Sequence, residues 1–116
     1  MVVDGVTWEP SPSLQIVVHR YATIEAFLDR YGPYFRTRGR MTRPEELAVG
    51  GRRALRIEIG DLEGLAWEEV TLIESGDGRI FAVTGECPPE LAGDYRPWFR
   101  AALATLEIFG GRAEGR

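Results

Sequence analysis

The chain has 116 residues and a mass of 13.0 kDa, a size at which one domain buries about two thirds of its unfolded surface and needs no covalent staples. Hydrophobic residues at 44%, charged residues at 28% and a net charge of −4 from 14 basic and 18 acidic side chains exclude a disordered chain, a helical membrane protein and a strongly basic nucleic-acid binder. A single cysteine, Cys87, and a single histidine, His19, exclude an internal disulfide and a zinc site of three or four nitrogen and sulfur ligands.

In chain order, Met1 to Trp8 lacks the basic start and apolar stretch of a secretory signal, so a cytoplasmic location is expected. After the Pro/Ser segment Glu9 to Ser13, the β-branched run Leu14 to Tyr21 reads as a strand. Ile24, Phe27, Leu28, Tyr31 and Phe35 then recur at helical spacing behind Thr23 as N-cap, predicting an amphipathic helix broken or frayed near Gly32 and Pro33. Three strands are predicted over 53–60, 66–75 and 79–86, separated by Gly-bearing turns, as an antiparallel meander. A second helix stripe follows in Tyr95, Trp98, Phe99, Ala102, Leu103 and Leu106, with Asp94 as N-cap and Pro97 in the first turn. The expectation is a single α+β domain over 1–109, an antiparallel sheet flanked by two amphipathic helices, with a flexible tail over 110–116.

The faces of the meander follow from alternation, because neighbouring strands must turn apolar residues to the same side. A turn over 75–78 pairs Glu74 with Arg79, Leu72 with Phe81 and Val70 with Val83. One face is then Leu55, Ile57, Ile59, Val70, Leu72, Phe81 and Val83, a core for a helix to cover. The other carries Arg56, Glu58, Trp67, Glu69, Thr71, Ile73, Ile80, Thr84 and Glu86. That face is too polar for a second full core and too apolar for bare solvent, which makes it the expected binding surface.

The segments Leu47 to Glu58, Trp67 to Glu74, Arg79 to Thr84 and Tyr95 to Phe99 resemble the Mog/PsbP-like superfamily. That group includes the PsbP extrinsic photosystem proteins, DcrB-type bacterial lipoproteins and the Ran guanine-nucleotide release factor. Its Gly-Gly-x-x-Ala turn into a long strand is matched by Gly50, Gly51 and Ala54. The resemblance spans about residues 14–108 and implies an α/β/α sandwich with a non-enzymatic binding or scaffolding role. The sequence shows neither the signal nor the N-terminal lipid-attachment cysteine of the exported members of that group, so their photosynthetic and periplasmic roles are not expected here, and no functional residue is carried over.

Candidate chemistry is sparse. One register of the 61–64 hairpin sets Glu58 directly opposite Glu69, a carboxylate pair that could hold a cation or share a proton. The other sets Arg56 opposite Glu69 as a plain ion pair, and this is the expected one. Arg36, Arg38, Arg40 and Arg43, with Arg52 and Arg53 near them, could grip an anion. His19 lacks a catalytic partner in sequence, and Cys87 lacks a base beside it. No Walker A loop, nucleophile elbow, dinucleotide fingerprint or His-Glu-x-x-His motif occurs. The expectation is a non-catalytic module without metal or cofactor, binding neither nucleic acid nor membrane, that uses Trp67, Glu69, Thr71, Ile73, Ile80, Thr84, Arg56 and Glu58 for self-association or a protein partner, any small-molecule ligand being unspecified. The alternatives are a small enzyme or metal binder on Glu58, Glu69 and Glu86, and an anion binder on the arginines from Arg36 to Arg43.

Overall fold

A computed structural model describes residues 2–3, 6–7, 13–42, 44–61 and 66–105. Trp8, Arg43, the turn at 62–65 and the expected tail at 110–116 lie outside them. Two short strands, β1 (Val2–Val3) and β2 (Val6–Thr7), pair with each other. The main sheet has six antiparallel strands: β3 (Ser13–His19), β4 (Gly39–Met41), β5 (Glu45–Val49), β6 (Arg52–Asp61), β7 (Trp67–Glu74) and β8 (Ile80–Cys87). Their order is β3-β8-β7-β6, with β4 and β5 both paired to β6. Helix α1 (Ile24–Arg38) covers one face and α2 (Ala92–Ala104), entered through a short 3-10 turn at Pro89–Leu91, covers the other. The class is α+β, as the periodicities imply.

Each strand of the meander lies where alternation puts it, but the last one is turned over. The loop from β7 to β8 has five residues, Ser75 to Arg79, rather than four. It is closed by the Ser75 N–H donating to the Arg79 carbonyl at 3.0 Å, with the buried Ser75 hydroxyl reaching the same carbonyl and Asp77. Gly76 and Gly78 take φ of 88° and 86°, conformations that favour glycine. The extra residue makes Ile73 face Phe81, Thr71 face Val83 and Val70 face Thr84. Since the side-chain period is 2, one residue exchanges the whole strand between faces. Phe81 and Val83 therefore move to the α2 side, and Ile80, Ala82, Thr84 and Glu86 to the α1 side.

The α1 face buries Leu55, Ile57, Ile59, Val70 and Leu72, as expected, with Ile80 and Ala82 in place of Phe81 and Val83, beneath Ile24, Phe27 and Phe35. Helix α1 runs unbroken through Gly32 and Pro33. Proline removes one intrahelical hydrogen bond, and the burial of Phe27 and Phe35 on either side of it outweighs that loss. Its start is as predicted: the Thr23 hydroxyl accepts from the Ala26 N–H at 3.1 Å. Helix α2 begins earlier than expected, so Asp94 lies in its first turn rather than at the cap, and Pro97 lies beyond that turn.

The α1 N-terminus is anchored to the sheet by charge. Glu74 of β7 accepts the Ile24 N–H at 2.9 Å and binds Arg53 at 2.9 Å, so the expected Glu74–Arg79 pair does not form. Arg53 also binds Glu25, whose carboxyl is held down at about 2 chiefly by that hydrogen bond. Asp77 is likewise held at about 2 by Arg79 and Ser75. A depressed carboxylate contributes stability above its unfolded value and loses it as pH falls through the folded one. The urea midpoint should accordingly be flat above pH 5 and decline as pH falls to about 2. The double variant Glu25→Gln, Asp77→Asn should show a shallower decline; an identical acid limb would refute this assignment.

Candidate functional site

The expected binding face is the floor under α2. Trp67, Glu69, Thr71 and Ile73 are all buried, Trp67 at 8% exposure and Ile73 at 0%. Phe99 stacks on Trp67 with ring centroids 6.1 Å apart and rests on Gly85, the one position on β8 where no side chain blocks it. Ile80 and Thr84 lie on the opposite face. The proposal of a free surface around Trp67 is thereby overturned, because that face is the chain's own interior.

The hairpin register also departs from expectation: Glu58 stands directly opposite Glu69, and Arg56 opposite Thr71. Like charges in opposed positions are ordinarily unfavourable. Here α2 supplies the compensation. The Arg100 guanidinium bridges the pair, 3.1 Å from Glu58 and 3.0 Å from Glu69. Arg96 binds Glu58 at 3.1 Å and lies over the Trp67 ring at 4.9 Å, while the Trp67 indole N–H donates to Glu58 at 3.2 Å. Arg56 still reaches Glu69 diagonally at 3.5 Å and Glu45 at 3.3 Å. Burial works against the charge on Arg100, and the hydrogen bonds and charges of Glu69 and Glu58 outweigh it, so its proton is held more firmly than usual. Three carboxylates meet three guanidinium groups, which leaves no charge for a cation to satisfy.

The third member of the suggested carboxylate set, Glu86, lies on the α1 side and cannot join Glu58 and Glu69. Among the described residues no three His, Cys, Asp or Glu side chains are grouped to hold a metal ion. Cys87 is buried and its thiol is pushed up, chiefly by that burial. The arginine cluster is dispersed: Arg36 is exposed on α1 and Arg40 on β4, while the Arg38 side chain and Arg43 lie outside the described structure. Gly39 pairs with Asp61 at one end of β6, whereas Arg52 and Arg53 begin the other, about 26 Å away along an extended strand.

An open site lies on the other side of the sheet. Helix α1 packs over β4, β6 and β7 and covers Ile80 and Ala82 of β8, while Gln15 and Val17 of β3 and Thr84 and Glu86 of β8 stay wholly or partly open on the same face. Between them is a groove of ≈ 320 Å³. Its wall is aromatic: Phe27, Tyr31, Tyr34 and Phe35 of α1, with Val17, Val70 and Ala82 beneath. Its polar groups sit along β3, β8 and β7: Gln15, His19, Thr84, Glu86 and Glu68. The His19 ring lies 4.9 Å from Phe27 and 5.2 Å from Tyr31, closing one end. Glu68 faces Glu86 across β7 and β8 at the other. Apolar walls with a few placed polar groups are the usual make-up of small-ligand sites.

Of the residues weighed for chemistry or binding from sequence, His19, Thr84 and Glu86 belong to this groove. Of the aromatic wall, Phe27, Tyr31 and Phe35 are legible as a helix stripe but not as a site, and the exposed Tyr34 lies off that stripe. The signal of the wall was bulk, since Tyr31, Tyr34 and Phe35 offer more ring surface than a small sheet can cover. No family model matches the chain, and no curated protein matches it. Among solved structures it is similar to a Pseudomonas aeruginosa protein of unknown function, described as a candidate regulator, with a TM-score of 0.61 and 14% identity over 91% of this chain and 88% of that one. At that identity the likeness is one of fold. No helix among the described residues is long and apolar enough to cross a membrane.

Proposed function

We propose that the chain is a cytoplasmic binding module without chemistry of its own, and that its ligand occupies the groove between α1 and strands β3 and β8. The observation that carries this reading is the meeting of an aromatic wall with a polar row along one open groove of ≈ 320 Å³. The ligand is an amphiphile: its apolar body lies on Tyr31, Tyr34 and Phe35, and a hydrogen-bond-donating or cationic end is held by Gln15, Thr84 and Glu86. Neutralisation of Glu58 and Glu69 by α2, burial of Cys87, and the packing of His19 between rings support a role in binding rather than catalysis. Two helices on opposite faces of an antiparallel sheet support kinship with the PsbP-like sandwich.

Decylammonium, below its micelle concentration, should raise the unfolding midpoint by roughly 5 °C at ten times its dissociation constant. Decyl sulfate should not. Val17→Trp, at a half-exposed position, fills the groove and should abolish the shift, as should Glu86→Gln in weaker form. A shift that survives Val17→Trp would place binding elsewhere and defeat the proposal.

A further inference from the structure

We infer that two copies of this chain pair edge to edge through β3, about a two-fold axis at Ile16. The inference is independent of what the groove binds. Strand β3 hydrogen-bonds β8 along one side, in unbroken register from Ser13 opposite Glu86 to His19 opposite Ile80. Among the described residues no strand pairs its other side, so alternate backbone N–H and C=O groups point outward. Proteins that remain monomeric blunt such edges with charges, proline, bulges or very short strands. Ser13 to His19 has none of these: it is seven residues long, without Asp, Glu, Lys, Arg or Pro.

Its side chains are apolar where solvent would call for polar ones. Leu14, Ile16 and Val18 share the α2 face and are 38%, 47% and 48% exposed. Trp98 of α2, 53% exposed, lies on the flank of that helix away from the Arg96 and Arg100 contacts with β6. Antiparallel pairing about Ile16 sets Leu14 against Val18, Gln15 against Val17, Ser13 against His19 and Ile16 against itself. All seven residues pair, and even positions meet even positions. Six apolar side chains then form one continuous strip across the axis, shared equally by both copies as an isologous contact requires.

Self-complementarity favours a second copy over an unrelated strand, because an uncharged edge meets an uncharged edge and Leu14, Ile16 and Val18 meet one another across the axis. On the α1 face, Ser13 stands between Glu86 of its own β8 and His19 of the second copy. The His19 ring stays against Phe27 and Tyr31 of its own copy, two strand spacings, about 10 Å between Cα atoms, from that carboxylate. No like charges are opposed along the new edge.

Light scattering on the full chain should give twice the 13.0 kDa of one copy. Ile16→Glu and Ile16→Lys each place like charges face to face at the axis and should each halve the mass, with unchanged circular dichroism because the side chain is half exposed. Mixing the two variants should restore the dimer, since only at a two-fold through this residue does position 16 meet itself. A monomeric wild type would overturn the inference. So would dimers that persist in both variants, or variants that stay monomeric when mixed.

Discussion

Replacing Arg100 with methionine should lower the unfolding free energy by about 3 kcal/mol, the low end for breaking a buried ion pair by removing one partner. Glu69 is only 3% exposed, and Arg100 makes three of its hydrogen bonds, at 3.0, 3.2 and 3.3 Å. The loss is held to the low end because Arg56 stays 3.5 Å from Glu69 and Arg96 stays on Glu58. Methionine keeps much of the apolar stem, so the change isolates the charge. Adding Glu69→Gln in the Arg100→Met background should recover more than half of the loss, because the cost lies in the uncompensated carboxylate rather than in the absent bond. Urea unfolding of the four proteins in this cycle gives the coupling directly. Additive single effects would show that the network is a surface feature of little energetic weight.

Gly85→Ala should destabilise by about 2 kcal/mol, although alanine is ordinarily better tolerated than glycine within a strand. A Cβ at this position would stand 2.6, 2.7 and 2.9 Å from the Phe99 ring carbons. The atoms in the way belong to a stiff ring wedged among Trp67, Tyr95 and Trp98, so α2 itself must lift. Phe99→Leu costs stability alone by loosening the Trp67 stack, yet it should relieve part of the Gly85→Ala penalty when the two are combined. If Gly85→Ala proves neutral or stabilising, α2 is not seated on β8 as described. Loss of the seat would also separate Arg96 and Arg100 from Glu58, which makes this small substitution a test of the whole layer.

The particular elements show which signals were sufficient. Thr23 with the Ile24, Phe27, Tyr31 and Phe35 stripe placed α1 correctly at its start, but its passage through Pro33 depended on burial that only the sheet provides. Alternation in β6 and β7 put Leu55, Ile57, Ile59, Val70 and Leu72 on one face, where they are. Strands β4 and β5 carry little signal in the sequence because they are short and only partly buried; Thr42 bridges the gap between them by bonding the Glu58 backbone at 2.9 and 3.0 Å. The groove could not be read from the chain, since its two sides are α1 and β8, and the face of β8 is set by the length of the loop that Ser75 and Arg79 close.

Composition and spacing by themselves determined the α+β class, the two helices, the antiparallel meander and the exclusion of zinc and disulfide frameworks. These depend on local periodicity and on residue counts, which any folded arrangement must respect. The face of β8, the pairing of Glu58 with Glu69 and the location of the open site were decided only in the tertiary structure. The first turned on one extra residue in a loop closed by Ser75 and Arg79. The second turned on guanidinium groups from α2, 31 to 42 residues away along the chain, whose charge reverses the sign of a contact that neighbouring strands alone would avoid. The third followed from the first, because the turned-over β8 sets Thr84 and Glu86 on the α1 side, along the groove beside that helix.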